Sequence, residues 1–425
     1  MNKIIVPKKA IVPFIIMVVL FFTNGFAQSM TDTLLAAFKK IMSMTDFGTS
    51  LIQQAFYGAY FLLALPAAIF IRKYSFRSGF LLGIGLFVLG ALLFYPSSQT
   101  MIYGHFLTSL FILASGLSVL EVSSAPFVFF LGSPETGTQR LNLCVSFIPV
   151  GAIAGVLVSK YFILSNLNSA GVSERANMSV EQLDIIRISE LEAVMRPYIG
   201  IAFFMLLLLV IIYFFKMGKE SDLPIDSLKS SVSRLIKNRT YVFGVITQFF
   251  YVGAQIGVWS FCIRYVTHHI NITEDEASVY YLASQIIFAL MRFVFSGLMR
   301  FLKPSILLMV SAIFAAVCTL FVIYGSGYTS IYALVGISGF MSLMFPTIYG
   351  ISIQDVERDK KIAGSGLIMA ILGGAILTAA QGYISDISNS INYAYSVPLV
   401  CFVIVFLFSI YVIKRERGID SVNNN

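Results

Sequence analysis

Long apolar runs follow one another along almost the whole chain, each separated from the next by a short polar segment. An α-helix needs roughly 20 apolar residues to cross the hydrocarbon core of a bilayer, and most of these runs are about that long. Because backbone N–H and C=O groups find no water in the bilayer, helices are expected rather than open strands. The pattern predicts twelve spans, near residues 11–37, 49–71, 78–96, 103–131, 139–164, 196–215, 241–267, 277–300, 304–324, 330–354, 362–384 and 392–413.

A polar, charged and Ser-rich segment divides these runs into two sets of six. Short basic turns lie at corresponding places in the two sets, at 72–77 after the second run and at 300–303 after the eighth. Duplicated six-helix halves are a common plan of secondary transporters. The sequence therefore predicts an N-terminal half at 1–215, a linker at 216–240, and a C-terminal half with a short tail at 241–425.

Composition agrees with this pattern. The chain is 58% hydrophobic and only 12% charged, whereas soluble domains carry about 25% charged residues. The predicted fold class is therefore an all-α integral membrane protein embedded in a lipid bilayer.

The net charge of +8 raises the question of a nucleic-acid partner. The basic residues argue against one, because apart from Lys39-Lys40 they cluster in short loops on one predicted side of the membrane. This positive-inside pattern predicts a multi-pass protein of a bacterial-type inner membrane with both termini in the cytoplasm. The basic positions are Lys3, Lys8, Lys9, Arg72, Lys73, Arg77, Arg140, those of the linker, Arg300, Lys303, Arg358, Lys360, Lys361, Lys414, Arg415 and Arg417.

The first apolar run resembles a secretory signal, since Lys8 and Lys9 precede it and the small residues Gly25 and Ala27 could mark a cleavage site. Cleavage after Ala27 would delete half of the first span and leave an odd number of spans. An uncleaved first span is therefore expected.

No pattern for soluble-enzyme chemistry is present. The sequence has no P-loop, no Gly-rich dinucleotide motif and no HExxH, and its four cysteines are far apart in apolar stretches. The pair His268-His269 beside acidic residues 274–276 predicts a solvated outer loop, with a metal or pH-sensing role as the alternative. We expect no enzyme activity, no cofactor and no metal, so an ion or substrate gradient must supply any energy.

Two acidic residues, Asp32 and Glu121, lie inside runs that otherwise predict membrane helix. A carboxylate at the bilayer centre costs about 2.5–3.5 kcal/mol on insertion scales, so it must face water, bind a proton or pair with another group. A carboxyl that gains and loses a proton is the physical requirement for proton coupling. The alternative is a helix-end carboxylate that pairs or caps, which fits Asp32 better than the deeper Glu121.

Other polar and aromatic residues within the runs could bind a sugar. Amides bind hydroxyl groups, and an aromatic face stacks on the apolar face of a pyranose; interhelical hydrogen bonding is the alternative. Arg292 is a candidate gate or counter-ion, with snorkelling to the surface as the alternative. The candidate binding residues are Gln54, Tyr57, Asn142, Gln255 and Trp259, the last two being four residues apart on one helix face.

Proline and glycine within the runs favour bent or broken helices. Pro126 follows Glu121 by five residues, Pro346 lies in the tenth run, and Gly373-Gly374 in the eleventh. Such bends suit helices that rock during transport.

Several stretches together resemble the L-fucose:proton symporter family of the major facilitator superfamily, over residues from about 12 to 412. The matching stretches are 51–61, 120–128, 140–143, 251–260, 340–348 and 364–369. The resemblance implies twelve helices, alternating access and proton-driven import of a hexose, by a protein expected to be a monomer. It also implies that Asp32 and Glu121 link protonation to transport.

Some positions depart from the family pattern. Val145 and Ile148 replace a Gln and an Asn that the family usually has in the fifth span, and Gln28 and Ser29 replace Asn residues before Asp32. Gln28 is still included among the expected substrate-binding residues. These changes put the identity of the transported sugar in question more than the proton coupling. The alternatives to a hexose symporter are a carrier of an amino sugar or a less polar compound, and a non-transporting sugar sensor.

Overall fold

The structure is a computed structural model that describes residues 5–41, 46–162, 178–215, 227–354 and 356–423. Its first half forms α1 (Ile11–Ile41), α2 (Asp46–Lys73), α3 (Phe76–Thr100), α4 (Tyr103–Phe129), α5 (Gly137–Val145), α6 (Phe147–Phe162) and α7 (Val180–Phe214). The remainder forms α8 (Leu228–Lys237), α9 (Arg239–Ser260), α10 (Cys262–Ile270), α11 (Glu274–Leu298), α12 (Pro304–Tyr324), α13 (Gly327–Met341), α14 (Met344–Ile353), α15 (Lys360–Met369), α16 (Gly373–Ser388), α17 (Ile391–Ala394) and α18 (Ser396–Asn423).

Within the described residues, twelve helical stretches are long and apolar enough to cross a membrane. The predicted all-α membrane fold with twelve spans is therefore confirmed. An even number of crossings returns the chain to the side on which it began, and we call this the terminal side.

Four spans consist of two helices rather than one. Span five is α5 and α6, span ten is α13 and α14, span eleven is α15 and α16, and span twelve is α17 and α18. Proline explains two of the breaks, because its missing N–H interrupts the helical ladder: Pro149 follows the break in span five and Pro346 the break in span ten. The break at Pro346 and the one just before Gly373-Gly374 were predicted, whereas Pro126 lies inside the continuous helix α4.

Helix α7 is longer than the predicted sixth span at 196–215. It begins at Val180, where Ser179 and Gln182 form a reciprocal capping box, and it runs unbroken to Phe214. The predicted spans at 139–164 and 196–215 leave residues 165–195 as an outer loop, and the amphipathic residues 180–187 predict a short surface helix within it. The amphipathic segment is helical, but it continues directly into the span because nothing between Val180 and Pro197 interrupts the ladder.

Contacts divide the chain into two compact units. The C-terminal unit contains Met1–Phe14, Ala125–Ser146 and Asp226–Asn425, and the N-terminal unit contains Ile15–Ser124 and Phe147–Ile225. The boundaries therefore fall inside α1 after Phe14, inside α4 between Ser124 and Ala125, in the break of span five, and before Asp226. They differ from the halves predicted along the sequence, because residues 125–146 pack with helices of the second half.

In the N-terminal unit, α1 and α6 approach closely through glycine. A Cβ at Gly25 would overlap the backbone oxygen of Ile148, and one at Gly151 would overlap that of Phe22. Gly151 and Gly155 form a small-xxx-small pair, which lets two membrane helices bring their backbones together. This crossing fixes the position of α1 beside α6.

In the C-terminal unit, a buried apolar core joins α9, α12, α13 and α18. Helix α8 lies within the predicted linker and is attached to this unit by an ion pair. Arg234 donates from Nε and Nη2 to the two carboxylate oxygens of Asp359, at 2.8 and 2.7 Å. Such a bidentate pair fixes orientation as well as distance.

Candidate functional site

Glu121 is buried in the N-terminal unit, with 6% of its surface exposed. The Tyr60 hydroxyl of α2 interacts with the Glu121 carboxyl and with the Gln28 side chain of α1. The same hydroxyl donates to Asn24 Oδ1 at 3.5 Å. We call Asn24, Gln28, Tyr60 and Glu121 the acid cluster; it draws on α1, α2 and α4.

Helical spacing explains how the acid cluster forms. Asn24 and Gln28 are four residues apart and therefore share one face of α1. Ser118, three residues before Glu121, donates from Oγ to the Tyr60 backbone oxygen at 3.3 Å and ties α4 to α2. The polar faces of α1 and α2 thus meet at the Tyr60 hydroxyl, which interacts with the buried Glu121 carboxyl of α4.

The acid cluster can serve both protonation states of its carboxyl. Amide and phenol groups donate as well as accept hydrogen bonds, so they can donate to a carboxylate and accept from a carboxylic acid. Neighbours of this kind let a buried carboxyl change its charge while the groups around it stay in place. The arrangement therefore fits a site that takes up and releases a proton.

Asp32 lies in α1, four residues after Gln28, but its side chain is outside the described residues. Its predicted part in coupling therefore stays a prediction. The two other predicted residues of α2 differ from each other: Tyr57 is half-buried beside Phe56, and Gln54 is exposed.

Arg292 and Trp259 come together in the C-terminal unit. The Arg292 guanidinium lies 4.6 Å from the centre of the Phe288 ring, and the Trp259 ring meets Phe288 edge-on at 4.9 Å. Trp259 also donates from Nε1 to Ser338 Oγ at 3.2 Å. Only 4% of Arg292 is exposed, so its head group does not reach the surface as snorkelling would require.

Gln255 and Asn142 have different surroundings. Gln255 is half-buried on the α9 face that also carries Trp259. Asn142 is buried, and its Nδ2 donates to the Thr138 backbone oxygen at 3.0 Å and to Thr347 Oγ1 at 3.2 Å. The Asn142 amide therefore links α5 to α14 by a hydrogen bond.

Several contacts on the terminal side join residues 130–145 to helices of the second half, all within the C-terminal unit. Together they form what we call the terminal-side gate. Its contacts are Gln139 Nε2 to the Ser296 backbone oxygen at 3.0 Å, Asn142 to Thr347, Arg292 Nη1 to the Val145 backbone oxygen at 2.9 Å, and Lys360 Nζ over the Phe130 ring at 4.8 Å.

An apolar cavity of about 520 Å³ lies between α1, α6 and α7 in the N-terminal unit. Phe22 and Phe26 line it from the side of α1 that points away from Asn24 and Gln28, and Arg196 lies at its edge. A lining of this kind offers few partners for sugar hydroxyls. None of the acid-cluster residues lines the cavity, so the two are separate.

His269 lies in α10, beyond the end of span seven. Its Nε2 hydrogen-bonds with Asn392 Oδ1 at 3.0 Å, and its ring lies 4.1 Å from that of Tyr265. Partial burial lowers the pKa of His269 below its ordinary value of 6.5; the bond to Asn392 opposes this shift and the charge of His268 adds to it.

The folding stability of the protein should therefore depend on the protonation of His269. Above pH 6.5 the imidazole is neutral in both the folded and unfolded chains. Below that pH the unfolded chain binds the proton first, so stability is lost as the pH falls towards the folded pKa. We expect the melting temperature to fall less between pH 7.5 and pH 5.5 in His269→Gln than in the wild type. His268→Gln is the matched control, and an equal fall in all three proteins would contradict the assignment.

Sequence reasoning missed four buried polar residues. Asn24 and Tyr60 belong to the acid cluster, and their helical spacing from Gln28 and Tyr57 was the available signal. Glu190 was placed in the outer loop, but it is buried in α7. Arg140 was counted among the basic loops, but it lies within α5 and none of its surface is exposed.

Within the described ranges, no group of three or more His, Cys, Asp or Glu side chains could hold a metal ion.

Comparison with known proteins gives a consistent result. The model of the Major Facilitator Superfamily matches residues 17–379. The L-fucose-proton symporter of Haemophilus influenzae is 37% identical over 420 residues, which cover 96% of this chain and 98% of that protein. A putative glucose/galactose transporter of Helicobacter pylori is 31% identical over 408 residues, covering 94% and 96%.

The fold also has a close structural counterpart. A crystal structure of FucP, a major facilitator transporter in the outward conformation, superposes with a TM-score of 0.90. The two chains are 35% identical, and the match covers 95% of this chain and 99% of the other.

Proposed function

The chain belongs to the major facilitator superfamily, and on that premise we propose that it imports a monosaccharide, L-fucose or a related hexose, by proton-coupled alternating access. The family consists of transporters, so the chain is not an enzyme. It is a multi-pass membrane protein with twelve spans.

The acid cluster is the observation that carries this proposal. Glu121 is a buried carboxyl that interacts with the Tyr60 hydroxyl, which also bonds to the amides of Asn24 and Gln28 on α1. Asp32, four residues beyond Gln28 on the same helix, is the second proposed coupling residue. A proton from outside loads one of these acids and neutralises the site, the sugar binds, and both are released on the other side.

The terminal-side gate supports the alternating part of the cycle. Residues 130–145 are bound to α11, α14 and α15 by hydrogen bonds and one cation–π contact. A carrier closed on one side needs such contacts, and it must break them to release its cargo. We infer that Arg292 belongs to this gate, and that Gln28, Gln54, Tyr57, Asn142, Gln255 and Trp259 are the candidate sugar-binding residues.

The proposal also includes location and assembly. Apart from Lys39-Lys40, the basic loops lie on the terminal side, and by the positive-inside rule we propose that both termini are in the cytoplasm of a bacterial-type inner membrane. The carrier acts as a monomer.

Uptake by purified protein in proteoliposomes tests the function. With an acidic exterior, labelled L-fucose, galactose or glucose should accumulate against its gradient, and a protonophore should abolish the accumulation. A prior thermal-shift screen of monosaccharides identifies the sugar to use, since a ligand that binds the folded state stabilises it. Uptake that only equilibrates and ignores the protonophore would reject proton coupling.

A different cargo is the second candidate function. Val145 is apolar and buried, and its neighbour Ile148 is also apolar, where a polar lining would favour sugar hydroxyls. An amino sugar or a less polar compound would fit such a lining. Stabilisation by fucose or galactose alone, with no response to apolar compounds, would reject this candidate. Saturable uptake of any solute would reject a purely sensory role.

Closing the gate depends on a glycine. A Cβ at Gly350 would lie 2.6 Å from Thr138 Oγ1 and 3.1 Å from Thr138 Cα, too close for normal contact. Gly350→Ala should therefore destabilise the closed gate by about 1–3 kcal/mol and populate the form open on the terminal side. Labelling of a Ser296→Cys probe by an impermeant maleimide, applied from the terminal side in a background without native cysteines, measures this opening.

Gly336→Ala is the matched control for Gly350→Ala. Its added Cβ would meet only Cys318 Sγ at 3.7 Å, an ordinary contact. Equal labelling rates in Gly350→Ala, Gly336→Ala and the parent protein would contradict the role of Gly350.

A further inference from the structure

Two backbone carbonyls in the broken spans lack their helical donors. In an α-helix, the carbonyl of residue i accepts from the N–H of residue i+4. Pro149 stands at that position for Val145, and Pro346 stands there for Ser342. Because proline has no N–H, neither carbonyl can complete its helical bond.

Arg292 supplies a donor to both carbonyls. Its Nη1 donates to the Val145 oxygen at 2.9 Å, and its Nε donates to the Ser342 oxygen at 2.7 Å. A guanidinium can do this because its donors form a rigid planar fork. Tyr251 reinforces the second break, since its hydroxyl donates to the Met341 oxygen at 2.9 Å.

The two acceptors belong to different parts of the chain. Val145 ends α5 in the first half, whereas Ser342 follows α13 in the second half, which also carries Arg292. In the proposed opening, residues 130–145 move away from α11 and α14, so the bond to Ser342 persists and the bond to Val145 breaks.

We propose that Arg292 is a positioning residue that closes the terminal-side gate by binding the two carbonyls released by Pro149 and Pro346. This inference rests on the alternating access of the proposed function, and it adds how the gate is held shut. Each proline leaves one backbone carbonyl without its helical donor, and Arg292 donates a hydrogen bond to both of these carbonyls. The prolines therefore act with Arg292 as one unit rather than as separate bends.

Restoring the missing N–H tests this unit. In Pro149→Ala, the alanine N–H can donate to Val145 and compete with Arg292. We expect Pro149→Ala and Arg292→Gln each to raise the labelling rate of the Ser296→Cys probe by roughly tenfold or more, the factor expected for one charge-assisted hydrogen bond. Together the two changes should raise it little more than either does alone, because both remove the same bond.

Further variants keep the test decisive. Pro346→Ala should act in the same direction through Ser342, and it replaces Pro149→Ala if that variant does not fold. Pro66→Ala is the matched control, since Pro66 lies inside α2 and no gate contact uses the carbonyl it releases. Its labelling rate should equal that of the parent protein.

Labelling needs neither sugar nor a proton gradient, so its outcome is independent of the cargo. Raised, non-additive labelling supports the inference even if no sugar is transported, in which case only the proposed function fails. Raised labelling in Arg292→Gln with parental rates in both proline variants would overturn the inference, because Arg292 would then act without these carbonyls. Additive effects of Pro149→Ala and Arg292→Gln would overturn it as well.

Discussion

A Glu121→Gln carrier is expected to exchange sugar across the membrane without accumulating it. The amide keeps the shape of the side chain and its place beside Tyr60, but it cannot take up and release a proton. One pH unit can drive roughly tenfold accumulation when one proton accompanies each sugar. The variant should lose this accumulation entirely, while counterflow of labelled against unlabelled sugar continues.

Glu190→Gln is the matched control for the Glu121 experiment. Glu190 is also a buried carboxyl of the N-terminal unit, but it lies in α7, outside the acid cluster. We expect this variant to accumulate sugar as the wild type does. Accumulation by Glu121→Gln at the wild-type level would show that coupling does not use this carboxyl, and Asp32→Asn would then be the variant to examine.

Replacing Arg140 by Met should cost roughly 3 kcal/mol or more of folding free energy, since several hydrogen bonds to a charged group are lost together. Arg140 Nε donates to the Val128 oxygen at 2.7 Å, and its Nη2 donates to the Phe129 oxygen. These carbonyls end α4, where a cation is favoured by the helix dipole. Arg140 Nη1 also donates to the Ile5 oxygen at 2.9 Å and to Thr136 Oγ1 at 3.1 Å.

Lysine should not replace Arg140 without loss, because a single ammonium group cannot reproduce the planar fork. Arg264→Met is the matched control: its side chain is exposed and lies 5.3 Å from the Phe261 ring, a contact worth about 0.5–1 kcal/mol at an exposed site. Midpoints of heat-induced aggregation, measured by size exclusion, compare the variants. An Arg140→Met protein as stable as Arg264→Met would contradict the role of the buried guanidinium.

Apolar run length was sufficient to predict the twelve spans, because the bilayer imposes one length on every helix that crosses it. The same reasoning identified Glu121, since a carboxyl in an apolar run is costly wherever it faces. Arg140 shows the limit of this reasoning. A basic residue next to a loop looks solvent-exposed in a sequence, but folding brought it against the end of α4.

The terminal-side gate could not be predicted for a related reason. Gln139 and Ser296 are 157 positions apart in the chain, and nothing local indicates that they meet. Pro346 was predicted to mark a bend, but the use of the carbonyl it releases depends on Arg292 arriving from another helix. Local chemistry predicts which groups need partners, and tertiary packing decides which partners they find.

The boundary between the two compact units inside α4 has a consequence for how a proton could do mechanical work. Glu121 lies three residues before Ser124, the last residue of the N-terminal unit on this helix. Pro126 lies just beyond the boundary, and it cannot donate to the Val122 oxygen. In the proposed cycle, the change of charge at Glu121 and the unit boundary within α4 are thus separated by about one helical turn, roughly 5.4 Å. Over so short a distance, we expect α4 itself to carry the effect of protonation to the residues beyond Pro126.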